Sequence, residues 1–186
     1  TIMAEMYGSA RALLTGERTA LNFIQRLSGS ATMAHKYQSL AGDKAKILDT
    51  RKTTPGWRNL EKYAVSVGGA SNHRIGLFDR VMIKDNHREL AGLEGSGGIL
   101  RSVERARKTF PGFEVEVEID SLDELQEALD SGAEYILLDN MSNELMAEAV
   151  RSTAGRAKLE ASGNITETRI PSIAETGVDY ISSGAL

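Results

Sequence analysis

The 186-residue chain carries 22 Lys and Arg against 26 Asp and Glu, and its formal net charge of -4 argues against nucleic acid as a partner. It contains no cysteine, which excludes disulfides, thiolate metal ligands and a cysteine nucleophile, and which fits a reducing cytoplasm. Hydrophobic residues make up 41%, enough for the core of one domain, and no apolar stretch approaches the roughly 20 residues that span a membrane.

Hydrophobic periodicity predicts a first helix over residues 15–40, broken or bent at Ser28-Gly29-Ser30. Short apolar runs then alternate with helical patterns, and Ser121 with Glu124 has the pattern of a capping box. This alternation predicts parallel strands joined by right-handed crossovers. The predicted strands are 46–49, 81–84, 114–118, 135–139, 158–161 and 179–182, and the predicted later helices are 60–67, 99–108, 122–131, 144–153 and 170–175.

The polar residues at the strand ends favour an α/β barrel over an open sheet. A barrel brings its strand ends together at one active-site face, whereas an open sheet spreads them along a line. No strand is followed by a Gly-x-Gly-x-x-Gly turn, which weakens the dinucleotide-binding alternative. Because we count six strand–helix units instead of eight, we predict an incomplete α/β barrel. The strand-end residues are Asp49, Lys84, Glu118, Asp139, Ser162 and Ser182.

Cationic side chains are concentrated just after strands, in Arg51-Lys52, His73-Arg74 and Lys84. Solvated surface charge is the usual role of Lys and Arg, and a lone His is often packed in a core. Loop residues at strand ends are nevertheless disproportionately functional, and clustered cations focus their field on small anions. The Arg fork suits phosphates and carboxylates, so the cluster predicts a site for such anions. Lys84 or Lys52 could form a Schiff base, but this usually needs a desolvated lysine, and both have other cations and carboxylates nearby.

Carboxylates form a second set of candidates. Glu118 and Asp139 end consecutive strands, where they could bind ribose hydroxyls or Mg²⁺. Capping of the next helix by Asp139 and ion pairing of Glu118 are the structural alternatives. Strand parity places Glu114 and Glu116 on the same face as Glu118, so we expect one or both to find a partner inside the barrel.

Glycine-rich turns follow the last two predicted strands, at Ser162-Gly163-Asn164 and Ser183-Gly184. Loops after the late strands of α/β barrels often cradle a phosphate through backbone N–H groups. Together the three sets predict a site for a phosphate-bearing sugar and a second anion.

These motifs resemble those of the quinolinate phosphoribosyltransferases, also called carboxylating nicotinate-nucleotide pyrophosphorylases. The resemblance covers essentially the whole chain in the family's order, with two departures. At 162–164 many relatives carry consecutive glycines, and the segment 88–91 after His87 differs from the family's commonest sequence. The matching stretches are Thr15-Gly16-Glu17-Arg18-Thr19-Ala20-Leu21-Asn22, Asp49-Thr50-Arg51-Lys52-Thr53, Asn72-His73-Arg74, Ile83-Lys84-Asp85-Asn86-His87, Leu137-Leu138-Asp139-Asn140 and Glu175-Thr176-Gly177-Val178-Asp179-Tyr180.

The resemblance implies transfer of phosphoribosyl from 5-phosphoribosyl 1-diphosphate to quinolinate with decarboxylation, a step of NAD biosynthesis that uses Mg²⁺. The products are nicotinate mononucleotide, pyrophosphate and CO₂. It further implies a homo-oligomer, a dimer or larger, and a TIM-like incomplete barrel preceded by an α/β sandwich domain. We therefore interpret residues 1–14 as a remnant of that domain or its linker, and residues 15–186 as the barrel, truncated at its C-terminal end.

The resemblance also implies residue roles. Lys52, Glu118 and Asp139 match catalytic groups, and the two carboxylates match groups that bind the metal directly or indirectly. The implied quinolinate-binding residues are Thr50, Arg51, His73, Arg74 and Lys84, with Arg18 contributed by a neighbouring subunit. Those implied for 5-phosphoribosyl 1-diphosphate are Lys52, Lys84, Glu118, Asp139, Ser162, Gly163, Asn164, Ser183 and Gly184.

Two alternatives stay open. A related transferase could act on nicotinate or another monoacid, although one carboxylate needs fewer cations than this cluster offers. A catalytically inactive barrel could serve as an anion-binding subunit, although an inactive relative should lose groups such as Glu118, Asp139 and Lys52 first.

Overall fold

A computed structural model describes residues 2–186, in which six parallel strands form one sheet. Each strand lies within one residue of its predicted bounds, so the predicted strand positions are confirmed. The strands are β1 (Lys46–Leu48), β2 (Val81–Ile83), β3 (Val115–Ile119), β4 (Tyr135–Asp139), β5 (Lys158–Ser162) and β6 (Tyr180–Ser182).

Helices connect the strands along the chain, as expected for parallel neighbours. They are α1 (Ala10–Ala41), α2 (Arg58–Val67), α3 (Asp85–Gly92), α4 (Gly98–Thr109), α5 (Leu125–Asp130), α6 (Asn143–Thr153) and α7 (Ile170–Ala174), and a short 3₁₀ turn at Leu122–Glu124 precedes α5. Among residues 2–186, no helix combines the length and the apolar character needed to cross a bilayer.

The strand order β1-β6-β5-β4-β3-β2 leaves two strands that are consecutive in the chain, β1 and β2, at the edges of the sheet. Ser71 lies on the free edge of β1, where its N–H donates to Ile47 O (2.8 Å) and its carbonyl accepts from Asp49 N (3.2 Å). On the other side, Arg74 Nη1 donates to Arg80 O (3.0 Å), immediately before β2. The segment 71–74 therefore occupies the gap between the edges, and the predicted incomplete α/β barrel is confirmed.

The alternation of side chains along β3 separates the core from the barrel interior. Val115, Val117 and Ile119 are buried among aliphatic side chains of the core, and burial of each contributes about 1.5–3 kcal/mol. Glu116 and Glu118 alternate with them and face the opposite side of the sheet. The strand thereby directs its carboxylates toward the interior and the site.

The predicted break in the first helix is wrong. Helix α1 starts at Ala10, five residues before the predicted start, and continues through Gly29 to Ala41. Its packing explains the continuity, because Phe23 stacks on Trp57 with ring centroids 4.6 Å apart and one face of its last turns, with Ala34, Tyr37 and Ala41, is buried. One exposed glycine costs a helix only about 1 kcal/mol, which this packing offsets.

One further local prediction fails, and one helix was not predicted. The Ser121 side chain makes no capping hydrogen bond, and Glu124 instead accepts from Asp120 N (3.0 Å) at the start of the 3₁₀ turn. Helix α3 was not predicted, because its charged first turn has the appearance of a loop. In the structure that turn is fixed by His87 Nδ1, which accepts from Lys84 N (3.0 Å).

Candidate functional site

The larger of two adjoining cavities at the carboxyl ends of the strands measures about 520 Å³, and we name it the glycine lobe. It lies between Asp139 at the end of β4, the loop after β5 and the residues after β6. The two loops contribute Ser162, Gly163, Asn164, Ser183 and Gly184, the residues predicted to hold a phosphate.

The second cavity, which we name the arginine lobe, measures about 330 Å³ and includes Arg51, His73 and Arg74 in its wall. The two lobes share part of their lining and therefore form one continuous site. The shared residues are Thr50, Lys52, Lys84, Glu118, Ser162 and Ser182.

A buried ion pair supports the arginine lobe from below. Lys62 Nζ of α2 lies 2.6 Å from Asp49 Oδ1 at the end of β1, and both side chains are 3% exposed. Asp49 Oδ1 also accepts from His73 N (2.8 Å), while Lys62 donates to His73 O (3.0 Å). Burial raises the pKa of Asp49, and Lys62 opposes that shift. The pair thus fixes the backbone on which His73 and Arg74 are mounted.

Arg74 is half-buried, and it lines the arginine lobe. Besides the bond to Arg80 O, Nη2 lies 3.4 Å from Met82 Sδ. Burial and the neighbouring Arg51 lower the pKa of Arg74, and the Nε of Arg51 is buried without a hydrogen-bond partner. Two close guanidinium groups of this kind favour a ligand with more than one negative charge.

His73 faces the barrel interior more than the lobe. Its Nδ1 accepts from Arg74 N (2.7 Å), and its Nε2 lies 3.2 Å from Glu116 Oε2 and 3.3 Å from Glu160 Oε2. Burial opposes the charged ring, but the bonds and charges of the two carboxylates raise the pKa of His73 to about 9. The expectation that Glu116 finds a partner inside the barrel is confirmed, and the ring of His73 lines the lobe without directing a nitrogen into it.

Glu160 is a site residue that sequence analysis missed. It lies on β5, it is 1% exposed, and it is among the residues that line the arginine lobe. The alternation of side chains along the predicted strand could have identified Glu160, because it places this residue on the same face as Ser162. Burial and the charge of Glu116 raise the pKa of Glu160.

His73, Glu116 and Glu160 bring possible metal ligands within 4.8 Å of one another. Arg80 Nη1 also lies 3.5 Å from Glu116 Oε2, so the carboxylates already face two nitrogen donors, from Arg80 and from His73. We therefore interpret His73, Glu116 and Glu160 as an ion-pair cluster.

The predicted carboxylates both reach the glycine lobe. Glu118 forms an ion pair with Lys84 at the end of β2, as the structural alternative for this residue predicted. Asp139 accepts from Asn140 Nδ2 (2.7 Å), while Ser142 and not Asp139 caps α6. Two carboxylates at the ends of neighbouring strands are a donor set suited to a Mg²⁺ that is also bound by substrate phosphates.

Arg18 is the one predicted site residue that lies outside both lobes. It lies on the N-terminal half of α1 with an exposed side chain, and it lines neither lobe.

Comparison with known proteins assigns the chain to a family. Residues 30–186 match the model of the quinolinate phosphoribosyl transferase C-terminal domain. The chain belongs to the quinolinate phosphoribosyltransferase family. It is 48% identical over 190 residues to a probable nicotinate-nucleotide pyrophosphorylase (carboxylating) of Synechocystis sp., and 46% identical over 187 residues to one of Bacillus subtilis. Each match includes 100% of this chain and 63% of the relative, so the chain spans less than two thirds of these relatives' length.

Solved structures agree with this quinolinate phosphoribosyltransferase assignment. The nicotinate-nucleotide pyrophosphorylase from Francisella tularensis has a TM-score of 0.88 at 50% identity, over 95% of this chain and 61% of that one. NadC from Streptococcus pyogenes has a TM-score of 0.88 at 47% identity, over 96% of this chain and 61% of that one. The resemblance drawn from the motifs is thereby confirmed, while the individual roles of the residues in the two lobes stay predictions.

Proposed function

We propose that this protein transfers the phosphoribosyl group of 5-phosphoribosyl 1-diphosphate to the ring nitrogen of quinolinate, with release of pyrophosphate and CO₂. The product is nicotinate mononucleotide, which places the reaction in NAD biosynthesis. The observation that carries this proposal is the direct junction of a lobe lined by guanidinium groups with a lobe lined by carboxylates and glycine loops.

The arginine lobe suits a ring with two adjacent carboxylates. Arg51, Arg74 and Lys84 line it, and Lys84 is already paired with Glu118, which leaves two guanidinium groups to be matched by ligand carboxylates. A dianion satisfies more of them than nicotinate does, so the monoacid is the second candidate. Held by both carboxylates, the ring presents its nitrogen toward the glycine lobe in a fixed orientation.

The glycine lobe suits the phosphorylated sugar. Backbone N–H groups after β5 and β6 would bind the 5-phosphate, and Lys52 would neutralise the leaving diphosphate. Departure of pyrophosphate leaves positive charge on the ribose, and we expect Glu118 and Asp139, which line the lobe, to stabilise it. No protein nucleophile is needed, because the ring nitrogen attacks the anomeric carbon itself.

Glu118 and Asp139 are also the residues that would hold Mg²⁺, directly or through water. When bound, the ion would supply positive charge to the diphosphate oxygens.

The assembly is a homo-oligomer, a dimer or larger, in which Arg18 of one subunit enters its neighbour's arginine lobe. The exposure of Arg18 on α1 supports this part of the proposal. A cytoplasmic location stays an expectation from the sequence.

The test is CO₂ release from carboxyl-labelled quinolinate by the full-length protein, with and without 5-phosphoribosyl 1-diphosphate and Mg²⁺. Release that requires both supports the proposal. Consumption of nicotinate without CO₂ release favours the monoacid transferase, and consumption of neither favours an inactive anion-binding barrel.

A further inference from the structure

Arg58, the first residue of α2, has no part in the binding scheme above and lines neither lobe. All three of its guanidinium nitrogens donate hydrogen bonds: Nε to Thr53 Oγ1 (3.2 Å), Nη2 to the carbonyl of Arg51 (3.3 Å) and Nη1 to the carbonyl of Ile75 (3.1 Å). The first two acceptors belong to the loop after β1, and the third directly follows Arg74. One side chain therefore joins the two segments that carry the guanidinium groups of the arginine lobe.

The backbone around Arg74 is held on both sides. On its N-terminal side, the buried ion pair described above binds the backbone of His73. On its C-terminal side, the Ile75 N–H donates to the carboxylate of Asp79, and the Ile75 carbonyl accepts from Arg58. The contact on the C-terminal side thus leads through Arg58 to the loop after β1, so the distance between the two segments depends on this one side chain.

The distance between Arg51 and Arg74 matters for a ligand that has two carboxylates. Each guanidinium suits one carboxylate, and adjacent carboxylates on a rigid ring have a fixed separation. A diacid bound by both groups therefore requires them at a matching distance, whereas a monoacid bound by one group does not. An arginine is suited to hold such a distance, because its planar fork bonds several acceptors at fixed angles and the flexible ammonium of lysine does not.

We propose that Arg58 is a positioning residue that sets the separation of Arg51 and Arg74 and thereby determines selectivity for a diacid over a monoacid, an inference that rests on the proposed function. Arg58 acts through the backbone of the two segments and does not touch the ligand. Its loss should therefore reduce the preference for quinolinate over nicotinate without removing a cation from the lobe.

The experiment is titration calorimetry of the full-length protein with quinolinate and with 5-phosphoribosyl 1-diphosphate, together with displacement of quinolinate by nicotinate. The variant is Arg58→Lys, which keeps the charge and loses the fork. We expect quinolinate affinity to fall by about 10- to 10²-fold, the cost of misplacing a binding group by about 1 Å. Nicotinate and the diphosphate sugar should change severalfold at most, so the ratio of quinolinate to nicotinate affinity falls by about 10-fold or more.

Arg101→Lys is the matched control. Arg101 also binds backbone, with Nε (3.0 Å) and Nη2 (2.8 Å) donating to the carbonyl of Ala91, but it lines neither lobe. Its substitution should leave the affinity ratio unchanged. An unchanged ratio in Arg58→Lys, or an equal fall in Arg101→Lys, overturns the proposal, because either result indicates a merely structural role. If Arg58→Lys does not fold, Thr53→Val removes the acceptor of Nε alone, and the same ratio in that variant decides.

Failure of the proposed function is distinguishable from failure of this inference. A wild-type protein that neither binds quinolinate nor releases CO₂ from it contradicts the function itself. A wild-type protein that does both, with an Arg58→Lys variant that keeps the wild-type affinity ratio, contradicts the role of Arg58 alone.

Discussion

Lys62 and Asp49 form a buried ion pair, Nζ to Oδ1 at 2.6 Å, that joins α2 to the end of β1. The same two side chains bind the backbone N–H and carbonyl of His73. Four polar groups are therefore satisfied together inside the protein, directly beneath the arginine lobe. This ion pair therefore contributes both to the stability of the fold where the barrel is incomplete and to the geometry of the site.

Removal of one member of this pair should be strongly destabilising. In Lys62→Met, the Asp49 carboxylate stays buried without its counter-charge, and we expect a loss of about 3–5 kcal/mol in the free energy of unfolding. Urea denaturation measures the loss. The exposed pair of Lys44 and Glu175 provides the control, and Lys44→Met should cost less than about 1 kcal/mol. Similar losses in the two variants would contradict a supporting role for the buried pair.

Substitutions in the arginine lobe should weaken the binding of one ligand far more than that of the other. Arg74→Ala removes a guanidinium that lines only the arginine lobe, so it should weaken quinolinate binding by about 10²-fold, the value of a charge-assisted bidentate contact. Binding of 5-phosphoribosyl 1-diphosphate should change severalfold at most. Titration calorimetry with each ligand measures both affinities.

Lys52→Ala is the reciprocal variant, and it should weaken the diphosphate sugar more than quinolinate. Equal losses of both ligands in Arg74→Ala would count against the division of the site into two lobes with separate ligands.

Gly163 should tolerate no side chain. Its φ of +87° lies in the left-handed region, and an added Cβ would lie 2.3 Å from Asn140 Oδ1 and 2.9 Å from Asn140 N. We expect Gly163→Ala to lose at least about 1 kcal/mol of stability and to weaken binding of the diphosphate sugar. Thermal unfolding and ligand titration measure the two effects.

Gly29→Ala is the matched control for the same substitution. Gly29 lies inside α1, and an added Cβ there meets no atom within 4 Å. Alanine should raise stability by about 0.5–1 kcal/mol, because it favours the helix. A loss of stability at this position would contradict the continuous helix.

Arg18 should act only in trans. Arg18→Ala and Lys52→Ala should each be inactive alone, because every site then lacks one of the two groups. Random mixing of the two variants in a dimer should restore about one quarter of the sites, since a mixed dimer contains one site with both groups intact. Assay of CO₂ release after unfolding and refolding the mixture measures the recovery, and refolded single variants serve as controls. No recovery would indicate that Arg18 serves its own subunit or none.

The sequence by itself determined the strands and most of the lining of the site. Apolar runs such as 135–139 specify strands locally. A residue at the carboxyl end of a parallel strand lies at the active-site face of a barrel, independently of which side chains it contacts there. For that reason Lys52, Glu118, Asp139 and the loop at Gly163 could be placed from the chain alone.

Only the tertiary structure decided which side chains meet across the barrel. The Nε2 of His73 turns inward because Glu116 and Glu160, more than 40 residues away along the chain, provide its partners. Gly29 stays helical because α1 packs on α2, which outweighs the local preference of glycine. Contacts of this kind depend on how strands and helices close on one another, and no local pattern encodes them.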